Sequence, residues 1–182
     1  MKTTADAHWR WQSAVPLTLP NLNDWLQDTG SLTARLRLHC KQFRVQLLST
    51  REGVSLTPSQ AHWLGETHAY CREVLLLCDE QPWIYASSLY SSAALEALPA
   101  LGGLGQKALG ELLFKHPQLV RSWFEFAQLT ADESQQLVLQ VHPHLPVSTS
   151  SLPWARRSVL ATPEARVLVS ELFCLPPALI RE

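Results

Sequence analysis

The sequence predicts an α+β fold: one domain on a largely antiparallel sheet of about six strands, with its helices gathered in two inserts. Three observations point there. Tyr70–Ser87, YCREVLLLCDEQPWIYAS, reads as two strands joined by a short turn at Asp79–Pro82. A second hairpin closes the chain, with Trp154–Thr162 and Ala165–Cys174 flanking Pro163-Glu164. The strands between are separated mainly by hairpins or short breaks, which favours antiparallel pairing over helical crossovers. With 182 residues the chain is long enough for one sizeable core and short for two, so 1–182 is taken as a single domain.

Residues 1–20 read as an irregular lead-in closed by Pro16 and Pro20. Asn23 or Asp24 then offers an N-cap for a helix around Trp25-Leu26, which Gly30 stops. Ser31 caps a second short helix, Leu32–His39. The amide N–H groups at its start favour anions, although most helix starts meet only water. Phe43–Leu48 alternates as a half-buried strand, and Ser49–Leu56 continues or returns it with Gly53 as a bulge or bend. Thr57-Pro58-Ser59 is a break before a brief segment at Ala61–Leu64.

In the first strand of the central hairpin, Arg72, Val74, Leu76 and Cys78 share one face and Cys71, Glu73, Leu75 and Leu77 the other. Both faces are apolar in the middle, as suits a central strand covered on each side. Ser91–Leu113 then changes texture: a helix at about 92–98, a Gly-rich joint, and a helix at about 106–114. Gly102-Gly103-Leu104-Gly105 lacks the Lys-Ser/Thr of a P-loop and does not match the dinucleotide fingerprint, so it reads as a flexible joint. Such joints beside a buried site also build lids.

Leu119–Leu129 reads as a strand with Trp123 opposite Phe124 and Phe126, followed by a helix at Asp132–Leu139. His142 and His144 form an H-x-H pair with no third ligand at a sensible spacing, so a Pro-rich loop is expected rather than a metal site. On the last strand Val167, Val169, Glu171 and Phe173 lie on one face.

Charge is balanced, with 15 Lys+Arg against 16 Asp+Glu, so no bulk field recruits nucleic acid or an anionic membrane. The four cysteines have no C-x-x-C spacing and read as buried free thiols of a reducing compartment. The start, MKTTADAHWRWQSAVPL, has no apolar core of signal-peptide type, and no run reaches membrane-spanning length. A cytoplasmic protein without membrane insertion is expected.

Two residues stand out chemically. Arg72 is a guanidinium on an apolar face and Glu171 a carboxylate in an apolar row, each costly unless met by a partner. Either they pair across the sheet, or they sit at opposite ends of a small cavity, the cation for a ligand carboxylate and the acid for a hydroxyl. Spacing weighs these equally.

Around these residues the chain resembles the chorismate lyase (chorismate–pyruvate lyase) family. The matching pieces are GSLTARL at 30–36, REG at 51–53, YCREVLLLCDEQPWIYA at 70–86 and LGQKALGELLF at 104–114. LVRSWFEF at 119–126, WARRS at 154–158 and LVSELFCLP at 168–176 complete the set, in family order. The resemblance implies an antiparallel sheet with helical flaps over an enclosed aromatic-acid site. It implies Arg72 and Glu171 as catalytic and substrate-binding residues, with backbone contacts at Leu32 and Leu109 in the two flaps.

It further implies a cofactor-free and metal-free lyase acting on chorismate, with 4-hydroxybenzoate and pyruvate as products, on the route to ubiquinone. Product inhibition is expected of so closed a site, and a monomer. The second carboxylate of chorismate lacks an assigned cation; Arg156 and Arg157 are candidates, but paired Arg on a strand beside a turn is more often solvated. Residues 130–153 look longer than in typical members. The competing reading is a non-catalytic aromatic-acid-binding domain like the effector domains of some bacterial transcription regulators. The chain shows no helix-turn-helix segment and no basic stripe for nucleic acid, which weighs against it.

Overall fold

The computed structural model describes residues 3–15, 20–141, 145–146 and 152–180. Seven strands form one antiparallel sheet in the order β1-β2-β3-β7-β6-β4, with β5 also paired to β6. They are β1 (Phe43–Ser55), β2 (His68–Cys78), β3 (Gln81–Tyr90), β4 (Val120–Arg121), β5 (Glu125–Gln128), β6 (Trp154–Ala161) and β7 (Arg166–Phe173). The α+β sheet architecture matches the expectation.

The β2–β3 turn is tighter than the sequence suggested. Asp79 and Glu80 both take positive φ, 48° and 64°, the conformation of a two-residue hairpin loop matched to strand twist. Pro82 already belongs to β3, opposite Leu77 at a register irregularity, where its missing N–H does least damage to the ladder. Gly53, at φ 63°, lies in the irregularity between Arg51 and Val54, so β1 runs on through a bulge.

The helices are α1 (Pro20–Leu26), α2 (Leu32–Arg37), α3 (Pro58–Leu64), α4 (Ser92–Ala97), α5 (Leu109–Leu113), α6 (Ala131–Gln140) and α7 (Pro177–Ile180). Ser31 caps α2 as expected, its hydroxyl accepting from the Ala34 amide at 3.3 Å. Four boundaries need correction. α1 begins at Pro20, not at Asn23 or Asp24, because a proline pre-set for helical φ starts a helix at no hydrogen-bond cost. α3 starts at Pro58 under a Thr57/Gln60 capping box. α5 is shorter than 106–114. The strand expected over 119–129 splits into β4 and β5, because the Ser122 hydroxyl accepts from the Val159 amide at 2.9 Å and takes over a ladder position while Trp123 turns outward.

The lead-in is also corrected. Ala5–His8 form a 3-10 turn, and buried Asp6 accepts from the Ser170 hydroxyl at 2.6 Å. Gln12 exchanges two backbone bonds of 2.8 Å with Phe126. These are single side-chain and bridge contacts without periodicity, so no pattern in the sequence announced them. His142 and His144 lie outside the described residues.

Both faces of β2 are covered. On one, Val74 and Leu76 pack with Trp25, Leu26, Leu32 and Leu36 of α1 and α2. On the other, Leu75 and Leu77 pack with Trp9, Tyr85, Leu129 and Leu137. All four cysteines are free. Among the described residues no helix is long and apolar enough to cross a membrane.

Candidate active site

Residues opposite one another on an antiparallel ladder point to the same face. Arg72 of β2 faces Ser88 of β3, which faces Val169 of β7. One step along, Val74, Ala86, Glu171 and Arg156 form the next row across β2, β3, β7 and β6. Arg72 and Glu171 therefore share a face, two strands and one two-residue step apart. Strand spacing and rise put their Cα atoms on the order of 12 Å apart, room for a small ring between two inward side chains.

A cavity lies there. Its floor includes Arg72, Val74, Ala86, Ser88, Val169 and Glu171, and its roof includes Leu32 and Thr33 of α2 with Ala108, Leu109, Gly110 and Phe114 around α5. Arg72 is 3% exposed and Glu171 8%. Of the two arrangements the spacing allowed, direct pairing is not the one adopted: Glu171 Oε2 accepts from Arg156 Nε at 2.6 Å, while Arg72 Nη2 donates to the carbonyls of Gly105 and Lys107 at 2.9 and 2.8 Å.

Arg72 is thus tied to the Gly-rich joint below α5. Its Nε is buried and has no partner among the described residues. Burial pulls its pKa down from the ordinary arginine value, a sign of a charge short of solvation, and the neighbouring Tyr90 only partly offsets this. Leu32 and Leu109 each occupy the first position of a short helix. Amides there have no partner within their own helix.

The two flaps meet over the cavity. A Cβ on Gly110 would come within 3.5 Å of Ser31 Oγ and 3.7 Å of Thr33 Oγ1, so α5 passes close over the start of α2. Arg37 and Glu111 bridge the flaps on the outside at 2.5 Å. Within the first flap, Asp28 Oδ1 accepts from the Gly30 amide at 2.8 Å and Oδ2 from Arg35 at 3.0 Å. Burial alone would raise the Asp28 carboxyl, but the Gly30 amide, Arg35 and Arg156 together hold it below the ordinary carboxylate value.

The expectation that Arg156 and Arg157 are solvated is wrong. Arg156 is 0% exposed and Arg157 4%. Being adjacent on a strand they point to opposite faces. Arg156 stands behind Glu171, with Nη1 on the carbonyls of Trp25, Leu26 and Asp28. Arg157 is on the far side of the sheet, bonded to Glu125 at 2.6 Å and Ser59 at 2.7 Å and stacked on Trp11.

The sequence reading also missed Arg121, which lines the cavity beside Leu160 and Phe114. The signal was present: a guanidinium within LVRSWFEF breaks an apolar stretch much as Arg72 does. Among the described residues no group of three His, Cys, Asp or Glu is placed to hold a metal ion.

Comparison with known proteins follows the same lines. A family model described as chorismate lyase matches residues 4–182. A probable chorismate pyruvate-lyase of Pseudoalteromonas atlantica is 37% identical over 178 residues, covering 92% of this chain and 87% of its own. One from Ralstonia nicotianae is 41% identical over 176 residues, covering 90% and 87%. In fold, the effector domain of PhnF from Mycobacterium smegmatis is similar with a TM-score of 0.57 at 13% identity, covering 80% of this chain and 89% of that one. The C-terminal domain of a histidine utilization repressor from Pseudomonas syringae pv. tomato gives 0.52 at 11% identity, covering 78% and 96%.

Proposed function

The chain belongs to the chorismate lyase family, and on that premise we propose that it eliminates pyruvate from chorismate to give 4-hydroxybenzoate, the aromatic acid that the family resemblance links to ubiquinone synthesis. The observation that carries this reading is the sharing of one cavity by Arg72 and Glu171, each held from behind by a partner that is not the other.

In the reaction the ether C–O bond between ring and enolpyruvyl arm breaks. The neighbouring ring carbon, which bears the hydroxyl, loses its hydrogen, the arm's methylene carbon gains one, and the products are an aromatic hydroxy acid and pyruvate. No atom is added or lost. Aromatisation drives the reaction, so the protein has mainly to orient the ring and exclude water.

Arg72 would hold the ring carboxylate through its free Nε, a charge-assisted bond in a site poor in water. The amides of Leu32 and Leu109 would add donors that carry no net charge. Glu171, steadied by Arg156, would accept from the ring hydroxyl beside the departing hydrogen and so fix the far pole of the ring. All four residues come from one chain, and the reading needs neither a metal nor a second subunit.

The test is direct: incubate the purified chain with chorismate and follow the ultraviolet absorbance of the aromatic product, with pyruvate measured in parallel. Stoichiometric appearance of both supports the proposal. Binding of chorismate without conversion would replace it with the effector-type reading.

A further inference from the structure

Arg121 is the cation in this cavity that neither the fold nor the reading above employs. It ends β4 opposite Leu160, and its Nε and Nη1 are buried with no hydrogen-bond partner among the described residues. Its guanidinium carbon lies 5.3 Å from the Phe114 ring centre and 5.1 Å from that of Phe124. The rings cover its faces and leave its edge, where the N–H groups are, for something else.

The other buried guanidiniums on this face and the far one each have at least one hydrogen-bond partner, although Arg72 Nε and Arg156 Nη2 are left over. Arg156 has Glu171, Arg157 has Glu125, and Arg72 has two carbonyls. Buried donors left unmade are costly, and a charged group more so. Burial also lowers the Arg121 pKa, with Glu171 the charge that most opposes this. Arg156, bonded to Glu171, lies against the same Phe124 ring, its guanidinium carbon 4.5 Å from the ring centre, so the Arg121 guanidinium stands on the Glu171 side of the cavity.

We propose that Arg121 is a second anion subsite, built to take the carboxylate of the substrate's three-carbon arm and, after cleavage, the carboxylate of pyruvate. The inference rests on the proposed reaction and deepens it. In chorismate the arm is attached to the ring carbon next to the one bearing the hydroxyl and two carbons from the one bearing the ring carboxylate. With the hydroxyl at Glu171, the arm's carboxylate falls nearer Glu171 than Arg72, which is where Arg121 stands.

The charge balance agrees. Arg72, Arg121 and Arg156 against Glu171 leave a surplus of two positive charges, the complement of a substrate with two carboxylates. The aromatic product, with one carboxylate, answers only half of it. Arg121 so distinguishes substrate from product: it grips the part of the molecule that leaves.

The test compares two ligands on the wild-type chain and on Arg121→Met, which keeps the aliphatic packing between the phenylalanines, and Arg121→Lys, which keeps the charge. Loss of a charge-assisted contact should weaken chorismate, by KM and by direct binding, about 10- to 100-fold in Arg121→Met. The affinity for 4-hydroxybenzoate should stay within about 3-fold, since its carboxylate and hydroxyl engage other residues. Arg121→Lys should recover part of the loss. Equal weakening of both ligands would mean a structural role only, and an unchanged KM would mean no role; either overturns the subsite.

A measurement without any variant guards against misfolding: on the wild-type chain pyruvate and 4-hydroxybenzoate should inhibit together, each tolerating the other. Mutual exclusion of the two would overturn the subsite while leaving the lyase reading intact. Absence of chorismate turnover in the wild-type chain would remove that reading first, and with it the subsite.

Discussion

Arg156 joins the floor of the cavity to its first flap. Its Nε donates to Glu171 Oε2 at 2.6 Å, and its Nη1 reaches the carbonyls of Trp25, Leu26 and Asp28 at 3.1, 3.1 and 2.6 Å. Those carbonyls lie at and just beyond the C-terminal end of α1, where helix C=O groups lack intrahelical partners and a cation is favoured. One side chain thereby orients the carboxylate and docks the α1–α2 corner over it.

Removing only one member of this buried pair strands the other charge. Arg156→Met should cost about 3–5 kcal/mol of stability, measured by urea unfolding. The double variant Arg156→Met/Glu171→Gln should recover much of that stability but not the turnover. If the single and double variants lose equal stability, the pair is not the source of the effect.

Arg72→Ala should lower kcat/KM for chorismate by about 3–5 kcal/mol equivalent, because one charge-assisted contact is lost in a buried site. Affinity for 4-hydroxybenzoate should fall with it, since substrate and product present the same ring carboxylate. Steady-state kinetics and product titration read both. Near-normal turnover would take Arg72 out of the mechanism.

The Arg37–Glu111 bridge is half exposed, so Arg37→Ala should change stability by less than about 1 kcal/mol. It does hold α2 to α5 across the cavity. Release of 4-hydroxybenzoate, followed by stopped-flow displacement, should therefore become faster and product inhibition weaker. An unchanged release rate would show that the ligand leaves by a route that does not part the flaps there.

Asp28 makes the first flap sensitive to acid. Its carboxyl is held below the ordinary value, so the carboxylate stabilises the folded state above the unfolded pKa of about 3.9. That contribution is lost as pH falls through the folded value, in the window below about pH 4. Amide hydrogen exchange in α1 and α2 should quicken there before the sheet strands open. Asp28→Asn should speed exchange in the same helices at neutral pH and flatten its pH dependence. Identical pH profiles for the two proteins would exclude Asp28.

The sheet and its hairpins were legible because a strand exposes its burial pattern locally: alternate residues, two strands long, around a turn. The face of Arg72 and the face of Glu171 could be read that way, and so could the Ser31 cap. Whether the two shared a cavity or paired was not readable, since strand order and register depend on packing among segments a hundred residues apart. Arg156 and Arg157 show the limit most plainly. They are neighbours of identical type, yet one enters the cavity row and the other the far face, and what each meets is set by β7, β5 and α1.

Composition, alternation and turn residues thus determined on their own that this chain makes a two-faced antiparallel sheet with a charged residue in each of two apolar rows. Only the tertiary structure decided which charges answer each other, because a buried ion's partner is fixed by distance in space and not by distance along the chain. Arg72, Arg121 and Glu171 come from strands far apart in sequence, and they line one cavity only once β3, β7 and β6 have brought those strands into one sheet.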